Sequence, residues 1–461
     1  MANKGSNFDT TVLIKGGRVV DPSQGLDLAG ADVLIVDGKV AKVGAGVAVH
    51  PAAKGARVID AAGLVVTPGL IDMHTHLRDP GFEYKEDIVS GTRAAAHGGF
   101  TTICSMPNTN PVPDNQAIVR YIRQKAAAAG YCNVYPIGAV SKGSKGEEMA
   151  EIGDMVLEGA VAFSDDGLPV WNSELMRQAL TYAKPFGAPI ISHSEDKSLA
   201  EGGQMHEGYW SMVLGLRGIP AAAEEVMIAR DLILAELTGG HIHVAHVSTR
   251  GSVDLIRRAK ERAKRVAETA AAGGHGRPFR VTAECTPNHV TLTDKAVYDS
   301  KYDTNTKVNP PLRTGDDVAA LKEALADGTI DVIASDHAPH HFDEKDVEYS
   351  YAPNGLSCIE VSLALAITAL VEPGVLTLPQ LVDRMTTAPA RVLGLKGKGS
   401  LAPGSDGDVT VLDPKARVKV DLSTWYSKGK NAPYQGFELV GQAIHTVLGG
   451  RLVMEDGVLR A

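Results

Sequence analysis

Between about residue 69 and residue 394 the chain alternates short apolar runs with amphipathic stretches, and no other feature constrains its fold as strongly. Strand-like runs occupy residues 101–106, 134–137, 160–163, 190–193, 242–246, 281–284 and 332–336. A run ending in His74-Thr75-His76 makes eight. Helical periodicity marks residues 173–184, 221–237 and 318–325 between them. Strands joined through helices pair in parallel, because a tight turn can only reach an antiparallel partner. Eight such units over roughly 320 residues predict a (β/α)8 TIM barrel, whose chemistry sits at the C-terminal ends of its strands.

Both ends of the chain have another texture. Residues 12–66 carry short β-like runs, Val12-Leu13-Ile14, Val33-Leu34-Ile35-Val36 and Val65-Val66, with Val36-Asp37-Gly38-Lys39 as a hairpin signal. The C-terminal end repeats the pattern at Val409-Thr410-Val411-Leu412 and Thr446-Val447-Leu448. The expected architecture is therefore α/β: a barrel over residues 67–395 and a small β-sandwich domain built from residues 1–66 and 396–461. The basic segment 257–278 reads as a solvated helix running into a flexible insert, with no chemistry assigned to it. Lys396-Gly397-Lys398-Gly399-Ser400 is glycine-rich but lacks the spacing of a phosphate-binding loop, and fits a turn into the C-terminal strands.

The 461 residues are 44% hydrophobic and 22% charged, enough for a globular core. A net charge of −9 excludes a nucleic-acid or anionic-membrane surface. No apolar span of about 18 residues is present, and the first ten residues lack the apolar centre of a secretory signal. Four cysteines (Cys104, Cys132, Cys285, Cys358) occur without a CxxC pair, which argues against a disulfide framework or a thiolate zinc site. A cytoplasmic setting is expected.

His74 and His76 are one residue apart, so on a strand they point to the same side. Alone, such a pair is equally compatible with two hydrogen-bonded strand-end histidines. The other strand ends decide between these possibilities. They read Met106-Pro107-Asn108-Thr109, Ser164-Asp165-Asp166-Gly167, His193-Ser194-Glu195-Asp196, His246-Val247-Ser248 and Ser335-Asp336-His337-Ala338-Pro339-His340. Nitrogen and carboxylate donors without thiolates describe a hydrolytic metal site rather than a structural one. On the sixth strand, Ile242, Val244 and His246 share one face and His241 and His243 the other; the apolar partners favour the first set as the interior face. His97, His206 and His275 are expected to be structural or on the surface. The long polar segment 341–355 after the eighth strand is expected to form a lid over the site.

Taken in order, these motifs resemble the amidohydrolase superfamily and, within it, the bacterial dihydroorotases with an aspartate at the fourth strand. The segments that carry the resemblance are His74-Thr75-His76-Leu77-Arg78-Asp79-Pro80-Gly81, Met106-Pro107-Asn108-Thr109, Phe163-Ser164-Asp165-Asp166-Gly167, Ile191-Ser192-His193-Ser194-Glu195-Asp196, Val244-Ala245-His246-Val247-Ser248, Val308-Asn309-Pro310-Pro311-Leu312-Arg313 and Ser335-Asp336-His337-Ala338-Pro339-His340. The resemblance implies one or two zinc ions. His74, His76 and Asp336 would hold one and His193 and His246 the other, with Asp166 bridging; the family's spacing to His193 picks Asp166 over Asp165. It implies Asp336 as the group that takes the proton of the attacking water, and Asn108 and His340 beside Arg78 on the substrate carboxylate, with Asn309 on the ring. Arg78 lies two residues past His76 on the same strand-end face, where its guanidinium can grip a carboxylate. A surface ion pair with Asp79 or Glu83 is the alternative for it.

Two departures stand out. Hydantoinases, allantoinases and many dihydroorotases bridge their metals with a carbamylated lysine, and residues 163–166 contain none. The family's Thr-Pro-His-His is here Thr286-Pro287-Asn288-His289, expected to be supporting structure. The implied activity is the reversible interconversion of N-carbamoyl-L-aspartate and L-dihydroorotate in pyrimidine biosynthesis. A hydantoinase or allantoinase activity, or a non-catalytic partner subunit of aspartate transcarbamoylase, are the rivals. A homodimer or larger assembly, with aspartate transcarbamoylase as a possible partner, is expected.

Overall fold

A computed structural model describes residues 11–460. The first ten residues, and with them the stretch scanned for a secretory signal, lie outside the described residues.

Eight parallel strands follow one another around a barrel in chain order: Leu70–Thr75, Phe100–Ser105, Asn133–Gly138, Ala162–Phe163, Ile190–Ser192, His241–Val244, Arg280–Cys285 and Val332–Ile333. Every expected strand is present. The circle closes between the last and the first through a parallel bridge of Thr75 with His337. Helices cover the outside, and local chemistry fixes where they start. Ser173–Ala183 begins at Asn172, whose side chain accepts from the backbone of Glu174 and Leu175. Gly315–Asp327 begins with a capping box between Thr314 and Asp317. Leu175, Met176, Ala179, Leu180 and Ala183 form the buried stripe of the first of these, the spacing that an amphipathic helix needs to cover a sheet.

The sixth strand corrects the expected parity. Ile242 and Val244 pack outward with Ile228, Leu232 and Ala235 of the helix Ala222–Thr238, whereas His241 and His243 point into the barrel and bond Thr282 and Glu284. In a barrel the apolar requirement is strongest between sheet and helices, so apolar partners mark the outer face. His246 still reaches the interior mouth because the strand stops at Val244 and His246 takes φ +31°.

Among the described residues, nine further strands from both chain ends form one continuous sheet. Its splice is the four-residue strand Val65–Pro68, which pairs in parallel with Thr11–Asp21 and antiparallel with Val409–Lys419. The expected hairpin is present, with Val36 opposite Lys39. Val12, Ile14, Val33, Ile35, Val66, Val409, Val411 and Val447 supply its core. The basic helix runs over Arg250–Ala271 with Ser252, Val253 and Ile256 as its buried residues. No helix among the described residues is long and apolar enough to cross a membrane.

The sheet docks on the end of the barrel away from the site. Thr410 Oγ1 donates to the Gly99 carbonyl at 2.6 Å, and Asp408 accepts from Lys398 Nζ at 2.5 Å, Asn133 Nδ2 at 2.9 Å and Gly449 N at 2.7 Å. Asp408→Ala leaves Lys398 with Asp406 alone, at 2.8 Å, and removes an acceptor from Asn133 and from the Gly449 N–H, so a loss of about 1 to 2 kcal/mol is expected. A urea midpoint that does not move would show that this junction carries no stability.

Candidate active site and metal centre

The barrel mouth gathers side chains from six strand ends. Nine of the ten residues singled out above (His76, Arg78, Asn108, Asp166, His193, His246, Asn309, Asp336, His340) line one cavity of about 180 Å³, and His74 is fully buried among them. His74 Nε2 lies 3.3 Å from Asp166 Oδ2 and 3.4 Å from Asp336 Oδ1; His76 Nε2 lies 3.5 and 3.0 Å from the same atoms. On the other side, His193 Nδ1 and His246 Nε2 both lie 3.5 Å from Asp166 Oδ1 and 2.9 Å from each other. Asp166 thus turns one oxygen to each group. Asp165 points elsewhere: it accepts from the backbone of Val140 and Ser141 and from the Ser141 hydroxyl.

Four imidazoles meeting two carboxylates could be an ordinary polar network or a metal cradle. The orphaned atoms discriminate between them. His74 Nε2 and Asp166 Oδ1 are buried and have no hydrogen-bond partner, and native interiors rarely leave such atoms unsatisfied. His74, His76 and Asp336 form one set, and His74, Asp166 and His246 another, compact enough to hold a metal ion. The donor set fits a divalent ion that accepts nitrogen and oxygen.

Burial would raise the Asp166 carboxyl, but the charge of His74 and the imidazoles of His193 and His246 turned toward it hold it well below the usual carboxylate range. Asp336 is held low against the same burial by His74 and His76. Conversely, burial opposes protonation of His74, and Asp166, Glu284 and Asp336 together raise it well above an ordinary histidine.

Arg78 sits at the mouth in a left-handed turn (φ +60°), 9% exposed. Its Nε donates to the Pro339 carbonyl at 3.3 Å and one terminal nitrogen lies 3.5 Å from His340 Nε2. Among the described residues it has no ion-pair partner; Asp79 pairs with Lys125 at 2.7 Å instead. Burial lowers it only to about 10, against the charges of Asp336 and Asp166, so it stays cationic at neutral pH. Burial, with Arg78, Lys345 and Lys85, pushes His340 down to about 3, so it faces the cavity as a neutral imidazole. The Asn309 amide lies 3.3 Å from His193 Nε2.

Asn108 does more than the sequence suggests: its Oδ1 accepts from His76 Nδ1 at 2.9 Å. Two interior residues escape the sequence reading altogether. Glu284 lies 2.6 Å from His74 Nδ1, and Asp72 accepts from the backbone of His74 and Ser335 at 3.1 Å each. The alternation of Val281, Ala283 and Cys285 with Thr282 and Glu284 is the available signal for Glu284, since only one of those faces is polar. Asn288 and His289 are supporting structure. Asn288 accepts from Tyr434 Oη at 2.6 Å, and His289 Nε2 donates to the Pro310 carbonyl at 2.9 Å.

Solved structures share this fold. The L-hydantoinase (dihydropyrimidinase) of Arthrobacter aurescens superposes with a TM-score of 0.84 at 28% identity, covering 98% of both chains. A dihydropyrimidinase from Brevibacillus agri NCHU1002 gives 0.79 at 25% identity over 97% of this chain and 96% of its own. Residues 277–454 match the profile described as amidohydrolase family, so fold and site define an amidohydrolase barrel. Residues 63–252 match the profile described as dihydro-orotase-like. A dihydroorotase from Pelotomaculum thermopropionicum is 57% identical over 449 residues, covering 97% of this chain and 100% of that protein. One from Geobacter metallireducens is 55% identical over 442 residues, covering 96% and 99%. The chain belongs to the dihydroorotase family, whose members are hydrolases of cyclic amides.

The segment 341–355 is folded down at the mouth. A side chain at Gly355 would meet Ala338 Cβ at 2.8 Å and His340 Nε2 at 3.1 Å, so the segment passes hard against the site. Lys345 Nζ donates to the Thr304 and Pro353 carbonyls at 3.0 and 2.7 Å, and Lys307 Nζ to those of Tyr349 and Ser350 at 2.8 and 3.1 Å. Burial, with the like charge of Lys307, pushes Lys345 down to about 7. An unfolded lysine titrates near 10.4. Between about pH 7 and pH 10 the folded chain therefore holds fewer protons than the unfolded one, and raising the pH stabilises it. The urea midpoint of the native protein is expected to rise from pH 7 to pH 9 more steeply than that of Lys345→Met. Parallel slopes would remove Lys345 from the pH dependence.

Proposed function

We propose that the chain is a zinc-dependent dihydroorotase that interconverts L-dihydroorotate and N-carbamoyl-L-aspartate in the synthesis of pyrimidines. Arg78 carries the reading. A buried guanidinium without a counter-ion is unfavourable unless a ligand supplies the anion, and this one opens on the same cavity as the metal-competent cluster. The cavity of about 180 Å³ admits a single small ring rather than a polymer. In this reading His74, His76 and Asp336 would hold one ion and His193 and His246 the second, with Asp166, which turns one oxygen to each group, shared between them. Bound there, zinc would supply an acidified water and polarise the scissile carbonyl.

The chain's own residues orient and shuttle. Arg78 grips the ring carboxylate in a fork. Asn108, whose Oδ1 is committed to His76, has its amide N–H groups left for the same anion, and neutral His340, its Nε2–H given to the Asn354 carbonyl at 2.9 Å, borders that anion without adding charge. Asn309 holds the ring against the His193 side. Asp336 Oδ takes a proton from the attacking water as the carbon–oxygen bond forms, then delivers it to the ring nitrogen as the carbon–nitrogen bond breaks. The ring opens to an ureido group and a new carboxylate; the reverse sequence closes it. The division that accompanies this reading places residues 67–395 in the catalytic barrel and 1–66 with 396–461 in the flanking β-sandwich. The pairing of Val65–Pro68 with strands from both ends supports it.

Arg78→Ala should raise KM for dihydroorotate about 30- to 100-fold, the equivalent of a lost charged hydrogen-bond pair. Hydantoin and allantoin, which lack that carboxylate, serve as comparators, and an unchanged KM would sink the carboxylate role. Asp336→Asn with metal retained should lower kcat at least about 100-fold. Near-normal turnover would assign the proton transfer to another group. Activity removed by a chelator and restored by zinc, but not by magnesium, is the expected metal dependence.

A further inference from the structure

The barrel interior beneath the mouth contains a polar column that none of the roles above uses. Glu284 is fully buried, with one oxygen 2.6 Å from His74 Nδ1 and the other 3.1 Å from His243 Nε2. The first oxygen also accepts from the backbone N–H of His246 at 3.4 Å. Below it, Thr282 Oγ1 lies 2.9 Å from His243 Nδ1 and 2.8 Å from His241 Nε2, and His241 Nδ1 has no partner.

With each imidazole neutral, as a metal ligand must be, one arrangement of protons satisfies every contact. A carboxylate accepts on both oxygens, so His74 Nδ1 and His243 Nε2 carry hydrogens. His243 Nδ1 is then bare and accepts from the Thr282 hydroxyl. The Thr282 oxygen in turn accepts from His241 Nε2–H, which leaves His241 Nδ1 without a hydrogen, consistent with its lack of a partner. At the top, the same order leaves His74 Nε2 bare and turned toward Asp166 and Asp336.

We propose that Glu284 is a positioning residue for the metal centre: its carboxylate fixes the hydrogen of His74 on Nδ1 and delivers Nε2 as a lone-pair donor to the first ion. The inference rests on the proposal that His74 ligates a metal. Glu284 also holds the backbone of His246, on the second group, so one side chain braces both halves of the cluster. His243, Thr282 and His241 keep the carboxylate's second oxygen occupied, so that it does not rotate away from His74. A carboxylate behind a ligating imidazole strengthens the ligand and sets its orientation.

Glu284→Gln keeps the shape but offers one acceptor and one donor where three N–H donors face it. Zinc affinity, read by competition with a chromophoric chelator, is expected to fall at least about tenfold. The visible absorption of the cobalt-loaded variant should shift from that of the cobalt-loaded native protein, while the metal-free proteins give the same circular dichroism. Glu284→Asp keeps the charge but withdraws it by one methylene, and carries the test if the glutamine variant does not fold; the same loss is expected. If the native protein binds zinc and both foldable variants bind it equally tightly with an unchanged cobalt spectrum, the positioning role is overturned. If the native protein itself binds no zinc or cobalt, the metal reading fails instead, and the two failures are told apart on the same samples.

Discussion

The seam between the first and eighth barrel strands is made by His74, His76 and the residues next to the site in the chain. Thr75 bridges to His337, the His76 N–H donates to the His337 carbonyl at 2.9 Å, and the Asp72 carboxylate accepts from the N–H groups of His74 and Ser335. The eighth strand keeps only Val332–Ile333 in regular pairing, so these few bonds close the barrel. They also place Asp336 beside His74 and His76 from some 260 residues away in the chain. Closure and cluster assembly are therefore one event. Open the seam and the site loses the carboxylate that the proposed mechanism uses both as a ligand and as the proton carrier.

The second constraint is electrostatic. Asp166, Glu284 and Asp336 crowd one small interior with four imidazoles and a single guanidinium nearby. Buried carboxylates are costly unless paired, and imidazoles compensate them only by taking up protons, which would occupy the nitrogens that point at one another. A divalent cation would resolve the conflict, leaving bare the nitrogens that face one another and each imidazole neutral. Glu284 marks the boundary of this logic. Its two oxygens are both spoken for by His74 and His243, whereas Asp166 Oδ1 has no partner. The first carboxylate is finished by the protein; the second is not.

What can be read from the sequence depends on how short-range each signal is. Strand positions, the hairpin at Asp37-Gly38 and the choice of chemistry at strand ends are local, and the order of residues alone makes each of them legible. Which of two adjacent residues points inward is not local. The sixth strand runs against the expectation that apolar residues lie inside: His241 and His243 bond Thr282 and Glu284 in the interior, while Ile242 and Val244 pack under the helices. Parity does not separate Asp165 from Asp166 either, because the fourth strand ends at Phe163 and the turn that follows sets their directions. Glu284 is silent in the sequence because its significance lies in what it touches, and His74 is more than 200 residues distant.

The likeness to hydantoinases shows how little of the substrate choice is carried by the fold. Barrel strands and helices fix where a mouth lies, but the residues proposed to tell one cyclic amide from another stand beyond the last regular hydrogen bond of each strand. Arg78, His246 and Asp336 all have positive φ (+60°, +31° and +49°). That region costs a non-glycine residue about 1 kcal/mol or more, so it persists only where surrounding bonds impose it. At Arg78 the carbonyl is held by the N–H of Phe82 at 2.9 Å, and the side chain is turned back to Pro339 and His340. The strained turn converts a residue that would continue outward along the strand into one that faces the cavity. In the proposed reading, five residues of chain supply two imidazoles for a cation and one cation for a carboxylate. A small shift in that turn would move the second without disturbing the first, which gives substrate preference room to change on an unchanged metal cradle.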